Sequence, residues 1–537
     1  MNQLSKLLLL SASCQIVFLP LKADDDETLV NLKSIELSSG GFDKGLSSEP
    51  IQIGRNVDIP GNSSVLVGQL NSFLNEPLTL NKIEEIKYTI TRFFEKNHHP
   101  IVMVVTPPQD VTTGNLRLLV IEGKVGEVHL RGNRWTSDAH ILHAIHLHPG
   151  DTVNAYKLKQ NIAWLNRTPF RVSDVVFVPG KGDETTDVKI VTKERFPLQP
   201  YVGMDNTGTA FTERTRLYGG FNAGNLWGAD HRFSYQFTTA LNWQSLSAHS
   251  GSYTMPFPWK HQFLAFGGWS RGRGDLQSSM KNEAVAWQAS GRYQIPISPI
   301  FGNFLQEFAF GYDFKKTNNS LLFGGVRVAK TSADTNQFMI SYMLDYNTAH
   351  SKTSCLLEFY GSPFIMTEHQ KTYYYDQIRP YAKPKYGYAR SRLSETYTFR
   401  NHMEFKWSFV AQWTAWNLLP NEMMGLGGWD TVRGYDERAV NVDQALLSSI
   451  ELRMPSFHVI NKKDKMQFLA FFDYATGAVK HKTEAQRKSH WLAGTGFGVR
   501  YNLKTNCYLR ADLGFPLHHT GYGLHTPHLH VGGTLSY

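Results

Sequence analysis

The sequence predicts two small α+β domains followed by an all-β transmembrane barrel of about 16 antiparallel strands. Three observations lead there. Residues 49–196 run twice through the order strand, helix, helix, strand, strand. From about Pro200 to Tyr537, apolar and polar residues alternate at period two. One stretch interrupts that alternation: Gly425-Leu-Gly-Gly-Trp-Asp-Thr-Val-Arg-Gly-Tyr435, with four glycines in eleven residues. Glycine-rich backbone folds tightly and approaches other segments closely, so this stretch reads as a structured loop.

Composition narrows the class. In 537 residues, aromatics reach 13% and charged residues only 19%, below the usual quarter or so. Past the N-terminus no run of eighteen apolar residues occurs, so no transmembrane helix is expected. A soluble protein or a β-barrel remains. The net charge of +9 is modest for this length, and no clustered basic stripe suggests nucleic acid as a partner.

Residues 1–23 read as a secretory signal peptide, with Lys6 as its positive region and an apolar stretch over 7–21. Ser11-Ala-Ser-Cys14 is a faint lipoprotein-like alternative. Residues 24–48, polar and rich in Ser and Gly, are expected to be a flexible extension. Beyond Cys14 the chain holds Cys355 and Cys507. A disulfide between them is one reading; two unpaired cysteines at apolar barrel positions is the other, and no metal or redox spacing is present.

In the first α+β domain, 49–123, Ile51-Gln-Ile53 and Val57-Asp-Ile59 read as a strand and 63–75 as a helix. Asn81 is placed as the cap of a second helix whose Ile83, Ile86, Ile90, Phe93 and Phe94 recur at three- and four-residue spacing. Pro100 ends it, and β-branched runs follow at 101–105 and 116–121. The second domain, 124–196, repeats the order: strand 126–131, helices 137–145 and 154–166, strands 172–178 and 187–192.

Val105-Thr-Pro-Pro-Gln-Asp-Val111 followed by Gly114, Glu122-Gly123 and Gly132-Asn133 is similar to the PPQ…G…EG…GN pattern of the POTRA pair in two-partner secretion transporters. The resemblance marks Pro107, Pro108, Gln109, Gly114, Glu122, Gly123, Gly132 and Asn133 as motif residues. Asn97-His-His-Pro100 departs from that family, which usually has Gly-Tyr there. Small open sheets of this kind expose an edge onto which an extended chain adds as a strand.

Within the barrel region, 231–238 places Phe233, Tyr235 and Phe237 on one face and Arg232, Ser234 and Gln236 on the other. The longest case runs from Tyr397 through Phe405 and Trp407 to Trp413, nine apolar positions on one face. A bilayer needs such a surface, with charges turned to a wet lumen. Asp205-Asn-Thr-Gly208 and residues 222–228 also resemble the family's first barrel strands. The last strand alternates Leu529, Val531, Gly533, Leu535 and Tyr537, and a terminal aromatic of this kind implies recognition by the barrel-assembly machinery.

Val432-Arg433-Gly434-Tyr435 resembles the VRGY signature of the same transporters and of their wider superfamily, where it sits at the tip of a loop folded into the barrel. A guanidinium held there must be paired. Asp473, in Phe471-Phe-Asp-Tyr-Ala-Thr-Gly477, is the candidate partner. Gly494-Thr-Gly-Phe-Gly-Val-Arg500 resembles a second wall motif; alternation turns Arg500 to the lumen, with Gly496 and Gly498 leaving room for the loop tip. A solvated arginine on an exposed loop is the plainer alternative.

Histidines cluster at 143, 146 and 148, at 518 and 519, and at 525, 528 and 530, the last two sharing the lumen face. No carboxylate or cysteine joins them, so no metal is expected. No catalytic motif or cofactor loop occurs. The resemblance implies an outer-membrane transporter, not an enzyme, that takes a secreted exoprotein (large and β-helical in that family) through the barrel. Activation of the exoprotein is an additional role of the family. Its surroundings would be outer-membrane lipid outside and the periplasm around the POTRA domains, with too little chain before Ile51 for a full plug helix and linker. An assembly or insertion factor would share VRGY but normally carries three or more POTRA units; a plain porin would explain the barrel alone.

Overall fold

The computed structural model describes residues 30–40, 49–182, 185–277, 280–297, 304–323, 326–484, 486–504, 506–518 and 526–537. The signal-peptide reading therefore lies outside the described residues. The chain divides into two units. One comprises 1–129, 146–162 and 175–190; the other comprises 130–145, 163–174 and 191–537.

The first unit begins with a correction. Part of the expected flexible extension is a strand, β1 (Ser34–Ser38), and it is central: the sheet order is β2-β1-β4-β3, with β2 at Ile51–Ile53, β3 at Val102–Val105 and β4 at Asn115–Glu122. Both neighbours of β1 are parallel to it, with Ile35 opposite Ile51 and Leu116. Leu32, Ile35 and Leu37 are fully buried. These apolar side chains stand among serines and charges, so composition hid a short strand that the alternation of Ile35 and Leu37 marks.

Two helices cover the sheet: α1 (Ser63–Asn71), shorter than expected, and α2 (Leu80–Lys96). Ile86, Ile90, Phe93 and Phe94 of α2 are buried against Leu66, Leu70, Leu116, Leu118 and Val120. The cap of α2 is Thr79, whose hydroxyl accepts from Lys82 N at 3.1 Å. Asn81 instead lies inside the first turn, because the chain turns helical one residue after Thr79, where a β-region cap residue is required. Val57 and Ile59 pack on this core without joining the sheet.

The second α+β segment contains β5 (Lys124–Arg131), α3 (Asp138–Ile145), α4 (Ala155–Leu165), β6 (Arg171–Pro179) and β7 (Thr185–Glu194), in a three-stranded sheet ordered β5-β7-β6. All five lie within a residue or two of expectation.

Sixteen antiparallel strands then close a barrel, from Leu198–Asp205 to His528–Ser536. The ends join through register pairs running from Gly532–Asp205 to Ser536–Tyr201. Closure joins the first strand to the last, so that backbone groups within the hydrocarbon pair between strands, as a membrane barrel requires. The nine-position apolar face is not one strand. Strands Tyr386–Thr398 and Glu404–Thr414 meet at a tight turn over 399–403, where Phe399 N donates to Met403 O at 2.9 Å and His402 adopts φ of 63°. The turn returns Phe405 opposite Tyr397, so the alternation keeps its phase across it. Cys355 and Cys507 are unpaired.

Within the second unit, the first turn of the barrel at the end where the chain enters holds Asp230. Its carboxylate accepts Arg171 Nη1 at 3.0 Å and Nη2 at 2.6 Å, and pairs with His140 Nε2 at 2.8 Å. Asn225 Nδ2 reaches Trp135 O at 2.6 Å beside it. Burial pushes the Asp230 carboxyl up, but the hydrogen bonds from His140 and Arg171 outweigh it and hold the group below the usual carboxylate range.

Candidate functional site

The glycine-rich stretch leaves the barrel after the strand Glu404–Thr414 and rejoins it at Gln444–Arg453. A short hairpin, Met424–Leu426 with Val440–Val442, carries its tip. Gly427 and Gly428 adopt φ of +98° and +111°, and Gly428 N closes on Val432 O at 3.1 Å. The tip is buried: Val432 fits among Leu426, Val440, Val442, Leu447, Ala475 and Leu492.

Arg433 is 3% exposed. Its Nε donates to Asp473 Oδ2 at 2.7 Å and its Nη2 to Asp473 Oδ1 at 2.8 Å, a bidentate pair. The backbone N of Arg433 reaches the same carboxylate at 3.1 Å. Nη1 donates to Glu451 Oε1 at 2.7 Å, and Nη2 also meets Ser449 Oγ at 3.3 Å. The guanidinium carbon lies 3.6 Å from the centroid of the Phe471 ring. A third carboxylate, Asp512, stands 3.8 Å from Nη1 and is itself held by Arg500 at 2.7 and 3.0 Å and by Arg510 at 2.7 Å. One buried cation is therefore surrounded on the wall by complementary charge and a π face.

The rest of the signature is fixed as closely. Gly434 N donates to His530 Nε2 at 3.2 Å. Tyr435 OH lies 2.9 Å from Ala493 O and 2.8 Å from His518 O. The space for the tip comes from Gly494 and Gly514: a Cβ on Gly494 would strike Arg433 O, and one on Gly514 would strike Gly434 N. The expected pair, Gly496 and Gly498, serves differently, because Phe471 and the neighbouring strand occupy the space at Gly496 and the Asp512 carboxylate that at Gly498. They make room for the side chains around Arg433 rather than for the loop backbone. Gly477 faces Val442 at the loop's return.

The loop also reaches the opposite wall. Glu422, buried at its root, accepts Lys315 Nζ at 2.7 Å, Tyr388 OH at 2.7 Å and Gln337 Nε2 at 3.3 Å. Glu451, Ser449, Asp512, Gly494, Gly514, His530 and Glu422 were not singled out from sequence for this role. The alternation in Gln444–Arg453 puts Ser449 and Glu451 on the face of Ala445 and Leu447, and could have found the first two.

In the α+β segments, Pro107 and Pro108 follow β3, and Gln109 acts as a backbone surrogate: its amide donates to Arg117 O at 2.7 Å and accepts Arg117 N at 2.8 Å. Gly114 has φ of +83° and approaches Asn31 O; Gly132, at +88°, approaches Thr192 O. Gly123 N bonds Ile101 O at 2.9 Å, and Glu122 stands 3.6 Å from His99. Asn133 Nδ2 bonds Thr136 O at 2.9 Å and Asp138 at 2.6 Å, fixing the entry to α3. Of the histidines, His518 stacks on Trp491, and His528 and His530 meet with their ring planes tilted by 41°; His519 and His525 lie outside the described residues.

A family model described as haemolysin secretion/activation protein ShlB/FhaC/HecB matches residues 184–501, more than half of the chain. The chain belongs to this family. Family membership makes it a two-partner secretion outer-membrane transporter, with POTRA-like sheets in the periplasm and a secreted exoprotein as its partner, and not an enzyme. Outer membrane transporter CdiB of Dickeya dadantii is 22% identical over 412 residues, 71% of this chain and 69% of the relative. Heme/hemopexin transporter protein HuxB of Haemophilus influenzae is 22% identical over 429 residues, 76% and 72%. The solved structure of CdiB from Escherichia coli matches with a TM-score of 0.76 at 15% identity, over 100% of this chain and 95% of that one. CdiB from Acinetobacter baumannii matches at 0.69 and 16%, over 96% and 91%. These likenesses carry the fold of the barrel and its preceding sheets.

Proposed function

We propose that the POTRA-like segments capture an unfolded, large exoprotein by strand addition, and that the chain then passes through the barrel while the loop tip leaves its seat on the wall. The observation that supports this reading is the Arg433 site. A cation bonded to two carboxylates on a wall of close-set glycines gives the loop one defined seat, and a defined seat is what a gated pore requires. The exoprotein's folding outside, in the absence of nucleotide, biases the movement outward. Motif residues from Pro107 to Asn133 position the edges that receive the cargo. Outer-membrane lipid surrounds the barrel, and the barrel-assembly machinery inserts it.

Secretion of an exoprotein encoded beside this chain tests the reading, with outer-membrane integrity monitored. Surface appearance that needs both the barrel and residues 49–196 is the expected result, and Arg433→Ala is expected to abolish it at unchanged barrel abundance. Exoprotein emerging from Arg433→Ala cells at the normal rate would defeat the role given to the loop.

A further inference from the structure

The buried carboxylate of Asp443, at the point where the inward loop rejoins the barrel, collects three outer loops. Arg379, just after the helix α5 (Thr372–Ile378), donates to it through Nη1 at 2.5 Å and Nη2 at 2.7 Å. Leu418 N, at the start of the inward loop, donates at 2.8 Å, and Lys480 N, from the next outer connection, at 2.9 Å. Asn417 repeats the pattern beside it. Its Nδ2 donates to Pro380 O at 3.0 Å and His481 O at 2.8 Å, and its Oδ1 accepts His481 N at 2.7 Å. Arg379 Nη1 also bonds Leu418 O. Segments 363–385, 415–443 and 479–484 each follow a strand running away from the chain's entry, so all three lie at the outer mouth.

The segment 363–385 is packed as a lid. Tyr375 of α5 is fully buried, donates to Asp334 O at 2.8 Å, and clusters with Tyr386, Tyr388, Leu418, Leu419 and Met423. The apolar contacts thus join the lid to the root of the inward loop, and the Asp443–Arg379 pair closes the joint. A bidentate ion pair with both partners buried has one favoured geometry, and either charge left alone there is strongly disfavoured. Such a contact is closed or fully broken, with little between.

We infer that Asp443 is an outer latch, distinct from the Arg433 seat, and that the lid 363–385 and the inward loop must part at Asp443–Arg379 for a polypeptide to leave the mouth. Asp443 is here a positioning residue: it touches no cargo, and holds three loops in the closed arrangement. The inference rests on the proposed passage of cargo through the barrel, but its first test does not.

That test is conductance of the purified full-length protein in planar bilayers, which needs no exoprotein. Asp443→Asn, and separately Arg379→Gln, are expected to raise the frequency of open events several-fold while heat-modifiable barrel migration is retained. Open frequency at the wild-type level in both folded variants would overturn the latch. The second test joins Ala382 and Asn417, which form a bridge pair between lid and loop root. Ala382→Cys with Asn417→Cys, oxidised, is expected to block exoprotein release and to regain it on reduction. Equal release in both states would overturn the requirement that lid and loop part; equal absence in both, with raised conductance in Asp443→Asn, would count against the transport reading and leave the latch standing.

Discussion

The guanidinium carbon of Arg433 lies over the ring of Phe471, 3.6 Å from its centroid, while its nitrogens serve Asp473 and Glu451. The stack and the fork use different parts of one planar group, so the site selects arginine on shape as well as charge. A lysine ammonium is a point charge and cannot satisfy both carboxylates and the ring together. Arg433→Lys is therefore expected to retain barrel abundance but lose most secretion. Arg433→Ala goes further and leaves the buried Asp473 carboxylate without its cation, a loss of about 3–5 kcal/mol, whereas Glu451 keeps Arg453 and Asp512 keeps Arg500 and Arg510. Quantified exoprotein in the medium, against heat-modifiable barrel in the membrane, checks both.

Gly514 faces the loop tip, whereas Gly361 faces open space. The matched substitutions Gly514→Ala and Gly361→Ala separate the tip's seat from strand propensity. A methyl at position 514 displaces Gly434, so that variant is expected to secrete poorly and to conduct more often in planar bilayers. Gly361→Ala is expected to match the wild type in both measurements.

Asp230 ties the first barrel turn on the side where the chain enters to Arg171 and His140. Its carboxyl is held below the ordinary value of 3.8. The stabilisation it contributes is thus complete above that ordinary value, and is lost only as pH falls through its own lowered one. Limited proteolysis of residues 163–174 in the full chain is expected to stay constant from neutral pH down to the ordinary carboxylate range and to rise below it. Asp230→Asn is expected to raise cleavage at neutral pH.

Leu37 is fully buried in a central strand. Replacing it by alanine removes packing worth about 2–5 kcal/mol. Leu37→Ala is expected to lower the melting temperature of the first sheet and, if that sheet receives the exoprotein, to reduce secretion in proportion. Thermal unfolding followed by circular dichroism measures the first part, and exoprotein release the second.

The legible parts of this molecule were those with a period. Alternation over 231–238 and at 529–537 gave both strands and their outward faces, and the three-to-four spacing of Ile86, Ile90 and Phe93 gave α2. Alternation alone cannot see a turn that preserves its phase, which is why 397–413 read as one strand. Asp473 was found because it lies in a local motif. Glu451 and Asp512 were not, since each converges on Arg433 from a separate strand, and only barrel closure sets that convergence. Alternation likewise marked Gly496 and Gly498 as sharing the lumen face of Arg500, while the loop backbone came to rest over Gly494 and Gly514.

Three strands outrun all the others of the barrel in length. Met280–Ile297, Phe304–Phe323 and Val326–Asn347 have 18, 20 and 22 residues, where about 9–11 cross the hydrocarbon. The pairing of the last with Ser351–Ser362 begins only at Phe338, so residues 326–337 rise beyond that neighbour. The rim therefore stands tall on this arc, and the segment 363–385 packs where the neighbouring strand stops: Tyr375 donates to Asp334 O at 2.8 Å and Asp334 N to His369 O at 3.3 Å. The lid segment thus rests on a strand wall at one side and on the root of the inward loop at the other.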